Sequence, residues 1–260
     1  MGFEKLWIVM LVCMAACAFG FIKYVYFISI GYGFAVAAGA LATAILFPDR
    51  MDTLAWVQMA LYICYGARLS GFLLLREMKS AAYRKTLKTV TNDDRSLPVK
   101  LCIWVSVAAL YTMQVSALFY RLYNGLPKSA LPLIGVIVSV AGLVLEAEAD
   151  RQKSAQKKEY PDRVAMDGLY RIVHCPNYLG EVTFWTGVMI GSLGVARGGQ
   201  LAMTLAAWVM IVLIMCNSAQ RLEKRQMKRY AGDRAYRRYA DSTPILFPFV
   251  PLYHFNKQDK

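Results

Sequence analysis

The chain has 260 residues, 57% of them hydrophobic, with 16 Tyr, 5 Trp and a formal net charge of +13. A soluble core of that length does not need so much apolar side chain, so the composition excludes an ordinary soluble domain and points to the bilayer as solvent. Nucleic-acid binding is excluded because no motif that interleaves aromatic and basic residues accompanies the charge.

Runs of about 17 to 25 apolar residues suffice to cross a bilayer as helices. Seven are read at 4–21, 25–47, 53–75, 100–120, 129–148, 178–196 and 200–217. Lys5 precedes the first run, but no small-residue cleavage site leads to a polar mature start, so that run reads as a helix rather than a signal peptide. Lys23 alone separates the first run from the second. Seven Lys or Arg fall between Arg76 and Lys100, six between Arg151 and Arg171 and ten between Arg221 and Lys260, which is 23 of the 30. With seven spans these segments share one face, and the positive-inside tendency makes it cytoplasmic. The expected fold is therefore an all-α integral membrane protein with seven transmembrane helices in one membrane domain over 1–260. Its N-terminus lies outside and its C-terminus in the cytoplasm, and the charge also attracts anionic lipid or an anionic ligand. Polar elements are expected at 76–99, 149–177 and 218–260.

"EAEADRQKSAQKKEYPDRVAMDG" continues the fifth helix beyond the bilayer until Pro161 breaks it. The seventh likewise runs on as a basic helix, turns at Gly232, and is followed by a short second helix. The apolar "ILFPFVP" after it is expected to fold back toward the membrane or to cover the loops. Cys13, Cys17, Cys64, Cys102 and Cys216 lie in apolar spans as small hydrophobes. Cys175 lies in a cytoplasm-side loop, and no pair among the six, nor His174 with His254, has metal-ligand spacing.

An ionisable group at membrane depth faces a wet cavity or a partner, and so marks a candidate site. Glu146 and Glu148 lie within reach of the interface. Arg68 lies about two turns inside, where a buried salt bridge and a ligand contact both remain open. Asn177 and Glu181, spaced i, i+4, share one face of the helix that opens after Pro176. They read either as a cap and a dipole partner or as a grip for a ligand that carries phosphate together with an amide or sugar. Residue chemistry alone leads to an anionic cofactor at this place. Trp104, Tyr111, Phe119, Tyr120 and Tyr123 read as interfacial or packing residues. The pair Tyr236 and Tyr239 either stacks on a base or anchors the tail.

"GLYRIVHCPNYLGEVTFW" and, further on, "RLEKRQMKRYAGDRAYRRYADSTPILFPFVP" resemble the steroid 5α-reductase family with its bacterial sterol-reductase relatives. The resemblance covers roughly 55–252. It implies a membrane reductase that binds NADPH on the cytoplasmic side and reduces a carbon–carbon double bond conjugated to a carbonyl. On this resemblance Asn177, Glu181, Asp150, Lys157, Arg163, Arg171, Arg221, Glu223, Arg225 and Tyr239 are cofactor-binding residues. Tyr65 is the donor that polarises the substrate carbonyl, and Arg68, three residues on, is its catalytic companion. His174 and Cys175 stand where the bacterial pattern has Arg-His. The Gln-Glu pair with which steroid reductases hold a 3-keto group has no counterpart, since 24–47 contains neither residue and Gln58 precedes Met59. The expected substrate is accordingly an enone lipid, steroid-like or another unsaturated isoprenoid, beside membrane lipids as the other partners of a monomer. Two alternatives stand: a methyltransferase of the isoprenylcysteine carboxyl type using S-adenosylmethionine, and a non-catalytic lipid-binding membrane protein.

Overall fold

The computed structural model describes residues 3–79, 95–125 and 129–256, and every regular element among them is helical. In chain order these are α1 (Phe3–Cys17), two 3-10 turns (Ala18–Phe21 and Tyr24–Ile28), α2 (Ile30–Leu46), a 3-10 turn (Pro48–Arg50) and α3 (Thr53–Lys79). Then come α4 (Leu97–Asn124), α5 (Leu131–Glu159), a 3-10 turn (Gly168–Arg171), α6 (Pro176–Ser192), α7 (Gly199–Arg229) and α8 (Arg234–Ser242). Among the described residues five segments are long and apolar enough to cross a membrane: Glu4–Phe21, Thr53–Lys79, Leu97–Asn124, Leu131–Glu159 and Gly199–Arg229. The protein is an all-helical integral membrane protein.

Two of the seven expected spans differ from the reading of the sequence. The run at 25–47 opens as a 3-10 turn, and α-helix begins only at Ile30; the run at 178–196 is helical from Pro176 to Ser192. Each of these helices has 17 residues, about 25 Å of rise against a hydrocarbon core of about 30 Å. α1 stops at Cys17, where a 3-10 turn completes the run to Phe21, while α3, α4, α5 and α7 run beyond the ends of their apolar runs, as expected where polar turns leave the bilayer. α5 continues to Glu159, two residues short of Pro161, and α7 to Arg229. Most of the third expected loop, 80–94, lies outside the described residues.

The chain divides into two compact units. One comprises Met1–Val136 and Val188–Ala207, the other Ile137–Gly187 and Trp208–Lys260. In apolar solvent, burial of apolar area drives little helix association, so close backbone approach and internal polar pairs must hold the bundle. The first unit has both. Gly33 of α2 meets Gly66 of α3 so closely that a Cβ on Gly66 would lie 2.2 Å from the Gly33 carbonyl oxygen. Arg121, with 1% of its side chain exposed, donates twice to Asp52 at 2.8 Å, which closes the end of α4 onto the start of α3. At the other end of α3, Glu77 accepts from Lys23 Nζ and Tyr26 Oη, both at 2.6 Å.

In the second unit the same device brings α6 against α5. A Cβ on Gly142 would lie 2.2 Å from the Phe184 nitrogen, and one on Gly180 2.6 Å from the Glu146 nitrogen. The first turns of α6, which carry Asn177 and Glu181, are thereby pressed against the Glu146 turn of α5.

The crossing generates a test. Gly66→Ala should lower the melting temperature of the purified protein by several degrees, because a methyl group there needs backbone to move. Gly71→Ala on the same helix meets nothing within 4 Å and should leave it unchanged or raise it by the helix preference of Ala over Gly. Equal effects would remove the close approach as the cause.

Candidate functional site

The sequence block at 168–177 is held from two sides. From α5, Gln152 Oε1 accepts the Leu169 amide at 2.8 Å, and Gln156 Oε1 accepts those of Met166 and Asp167 at 2.9 and 3.0 Å. Gly168 has φ +65°, and a Cβ there would lie 2.3 Å from Gln152 Oε1, so the turn admits only a residue without a side chain. From the tail, the His174 and Cys175 amides donate to Pro244 O and Ile245 O at 2.9 and 3.0 Å. Tyr239 Oη donates to Tyr170 O at 2.8 Å, and its ring stacks on His174 at 4.5 Å. α8 starts cleanly because Asp233 caps it, accepting from the Ala235 and Tyr236 amides. It buries Tyr236 and Ala240 against Val164.

The tail's "ILFPFVP" therefore behaves in two parts. Ile245 and Leu246 are buried and clamp the loop ahead of α6, while Phe249 and Val250, like Leu252 just beyond the segment, are exposed.

Beside the start of α6 is an open groove of about 520 Å³ lined by Tyr178, Ser218, Arg221, Lys224 and Arg225. The three cations sit at i, i+3 and i+4 of α7 and so share one face. Arg221 Nη2 reaches Ser218 Oγ at 3.2 Å, and Tyr178 lies within electrostatic reach of Arg221, Arg225 and the buried Glu181. A concave surface with three flexible cations, a phenol and a hydroxyl is suited to phosphate, since Arg presents paired donors in a plane and Lys a point charge.

Of the residues expected to hold a cofactor, this brings together Arg221 and Arg225, with Asn177 next to Tyr178 in sequence and Glu181 one turn on. The others stand apart from the groove's lining. Glu223, two residues from each arginine, turns to the other side of α7. It is 4% exposed and accepts from His254 Nδ1 at 2.9 Å, from the Phe255 and Asn256 amides at 3.1 Å each, and from Asn256 Nδ2 at 2.6 Å. Lys157 is engaged with Pro161 O, Arg163 O and Tyr230 Oη. Arg163 stacks on Tyr160, and the exposed Arg171 pairs with Asp167 at 2.7 Å. Asp150 is half-buried near Tyr170. Asn177 is not the cap of α6, which opens one residue earlier with Pro176.

Tyr65 and Arg68 belong to the first unit. Tyr65 is fully buried, edge-on to Tyr32 at 5.8 Å, and Arg68 is half-buried one turn on. Tyr32, which packs on Tyr65, belongs to a hydrogen-bonded group in which Gln114, Tyr32 and Tyr62 were not singled out from the sequence. Gln114 Nε2 donates to Tyr32 Oη at 3.2 Å, Tyr62 Oη donates to Gln114 O at 3.0 Å, and Tyr32 stacks on Tyr111 at 5.0 Å. Gln58 is buried as well and bonds Arg121 at 3.4 Å. Lys224 was the other omission, although the helical period of α7 places it with Arg221 and Arg225.

The sequence model of the family described as "Protein of unknown function (DUF1295)" matches residues 21–243. An all-helical membrane protein is the class that the fold defines, and within it the chain belongs to that family. No curated protein and no solved structure matches the chain.

Next to the groove, His174 and Cys175 are buried. Burial pushes the Cys175 thiol up to about 12, so it stays protonated and inert. Burial pushes the His174 imidazole down to about 4 from 6.5, partly offset by the Tyr239 backbone and Glu223. Its Nε2 has no hydrogen-bond partner among the described residues. Unfolded, this His takes a proton near 6.5; folded, only near 4. Between those values the unfolded chain binds more protons. Stability therefore falls as pH drops from about 6.5 to 4, by a total of order 3 kcal/mol, and the group has no effect above 6.5. His174→Phe, which keeps the stack on Tyr239, should lose less melting temperature between pH 7 and 4.5 than the parent chain does. Parallel pH curves would show that His174 is not the titrating group.

Proposed function

We propose that the chain is a membrane-embedded NADPH-dependent reductase acting on the double bond of an enone lipid, steroid-like or another unsaturated isoprenoid. The observation that carries this reading is the basic groove of Arg221, Lys224 and Arg225 beside Tyr178. It lies at the head of the helix whose Asn177 and Glu181 match the cofactor-gripping positions of the 5α-reductase pattern. Seven spans with the groove on the cytoplasmic face, in a bacterial inner membrane or the endoplasmic reticulum, complete the reading. The clustering of Lys and Arg at one set of helix ends supports that orientation.

The donor set fits a dinucleotide phosphate in part. Arg221, Lys224 and Arg225 present donors for phosphate oxygens, and Ser218 and Tyr178 for a ribose or phosphate edge; on the resemblance, Asn177 and Glu181 would take an amide or sugar hydroxyl. Glu223 and Lys157 are engaged elsewhere and hold the tail and the loop in shape, so their part is positioning. Bound there, NADPH would supply the reducing equivalent. The arginines neutralise charge and fix register through paired donors. Tyr65 donates a hydrogen bond to the carbonyl oxygen of the substrate, stabilising negative charge as it develops there. Its burial excludes water, which strengthens that bond. Tyr32 holds the Tyr65 ring edge-on, and Gln114 in turn holds Tyr32.

Purified protein tests the cofactor first. NADPH should raise the melting temperature by ligand linkage and S-adenosylmethionine should not; a shift with S-adenosylmethionine alone would transfer the case to the methyltransferase. Arg221→Ala and Arg225→Ala should each weaken NADPH about tenfold, the loss of one charge-assisted bond. Tyr65→Phe should keep NADPH affinity while losing turnover of any enone substrate, and full activity in that variant would remove Tyr65 as donor.

A further inference from the structure

The tail carries apolar side chains that the protein does not bury. Ile245 and Leu246 are 1% exposed, yet Phe249 is 97% exposed and Val250, Leu252 and Tyr253 also face outward. Between them the backbone closes on itself: the Ile245 amide donates to Leu252 O at 2.9 Å, and the Val250 amide to Phe247 O at 3.1 Å. Phe249 is thus held at the tip of a loop whose base is fixed. Apolar residues presented in this way on a charged protein mark an interaction surface.

Two fixed points within the second unit give the height of the loop. Its near end, Pro244 and Ile245, accepts from the amides of His174 and Cys175 immediately before α6 begins. Its far end is fastened to α7, where Asn256 Nδ2 donates to Gln220 O at 3.1 Å and Glu223 accepts the amides of Phe255 and Asn256. The apolar run of α7 ends at Asn217. Gln220 and Glu223 follow it by three and six residues, about 5 and 9 Å along the axis. The headgroup layer on each side of a bilayer is about 5 to 8 Å thick, so the tie to Gln220 lies within the headgroup layer and the tie to Glu223 at its outer edge.

Charge identifies the surface. Beside the loop, α8 exposes Arg234, Arg237 and Arg238 on one face while Tyr236 and Ala240 are buried on the other. Its acidic Asp241 is paired with His254 at 3.1 Å. Exposed arginines next to an apolar tip suit anionic lipid, which attracts each cation near its surface.

We propose that the loop 245–253 is a membrane-surface anchor, with Phe249 inserted at the headgroup–acyl boundary of an anionic leaflet of the bilayer that the chain itself spans, and the arginines of α8 against lipid phosphates. The occupant is that leaflet rather than a second protein, because both ends of the loop are fastened at headgroup height. Docking there pins the tail, and with it the clasp on Glu223 and the clamp on His174 and Cys175. The inference stands whether or not the groove binds NADPH.

An environment-sensitive fluorescent amino acid placed at 249 in the full chain, reconstituted into lipid nanodiscs, tests it. In discs containing phosphatidylglycerol, lipids spin-labelled near the glycerol end of the acyl chain should quench about half or more of its emission, as expected for insertion at that boundary. Quenching should fall at least twofold when Arg234, Arg237 and Arg238 are all changed to Gln. Water-like, unquenched emission in every disc would overturn the proposal. So would a blue shift without lipid quenching, which would indicate a protein occupant, and so would equal quenching in neutral and anionic discs, which would remove the anionic surface.

Discussion

A helix turns about 100° per residue, and that rotation at the end of α7 is what the polar half of the protein depends on. Arg221, Lys224 and Arg225 fall together and face the groove with Tyr178. Glu223, between them in sequence, falls about 200° from Arg221 and is wrapped by four hydrogen bonds from the tail. One stretch of five residues therefore does two jobs on two faces. The cations remain clear of the carboxylate that would otherwise neutralise them, and the carboxylate fixes the tail through charge-assisted bonds that are worth more than neutral ones.

The same economy appears at the loop ahead of α6. Loop amides removed from water must find partners within the protein, because an orphaned buried donor is costly. Here α5 lends two glutamine side chains to the amides of 166–169, and the tail lends two carbonyls to those of 174 and 175. Lys157, at the end of the same helix, caps the turn that Pro161 forces. The loop is thus rigid before α6 begins, and Asn177 and Glu181 inherit that rigidity. Sites built on pre-fixed backbone lose less entropy when a ligand arrives.

Much of this was legible in the sequence, and the rest was not, for identifiable reasons. Apolar length located the helices, and Pro161 and Gly232 located the breaks, because these signals are local. The start of α2 was misplaced because residues 24–28, three of them aromatic, are as apolar as helix yet form a 3-10 turn, a choice made by packing rather than hydropathy. Arg221 and Arg225 came from the resemblance, whose spacing named Glu223 with them; helical periodicity instead groups the two arginines with Lys224 and sets Glu223 apart. That Glu223 and Lys157 hold the tail and the loop was hidden, since their partners, His254 to Asn256 and Pro161 to Tyr230, are set by the tertiary fold. Gln114 was hidden for the opposite reason. It lies within an apolar run, where one amide among so many hydrophobes carries no pattern.

That amide returns to the chemistry of the first unit. Gln114 is 2% exposed, and its Oε1 has no hydrogen-bond partner among the described residues. A buried acceptor left in that state is costly unless another group or water completes it. Its amide nitrogen donates to Tyr32, whose ring lies against both Tyr65 and Tyr111. The phenol proposed as donor is therefore positioned through a neighbour that is itself oriented by an amide with spare accepting capacity. The steroid reductases hold a keto group with a Gln-Glu pair on an earlier helix; this chain lacks that pair but carries Gln114 on α4 and Gln58 on α3. Amides orient hydroxyls and carbonyls without introducing a charge that the hydrocarbon would penalise.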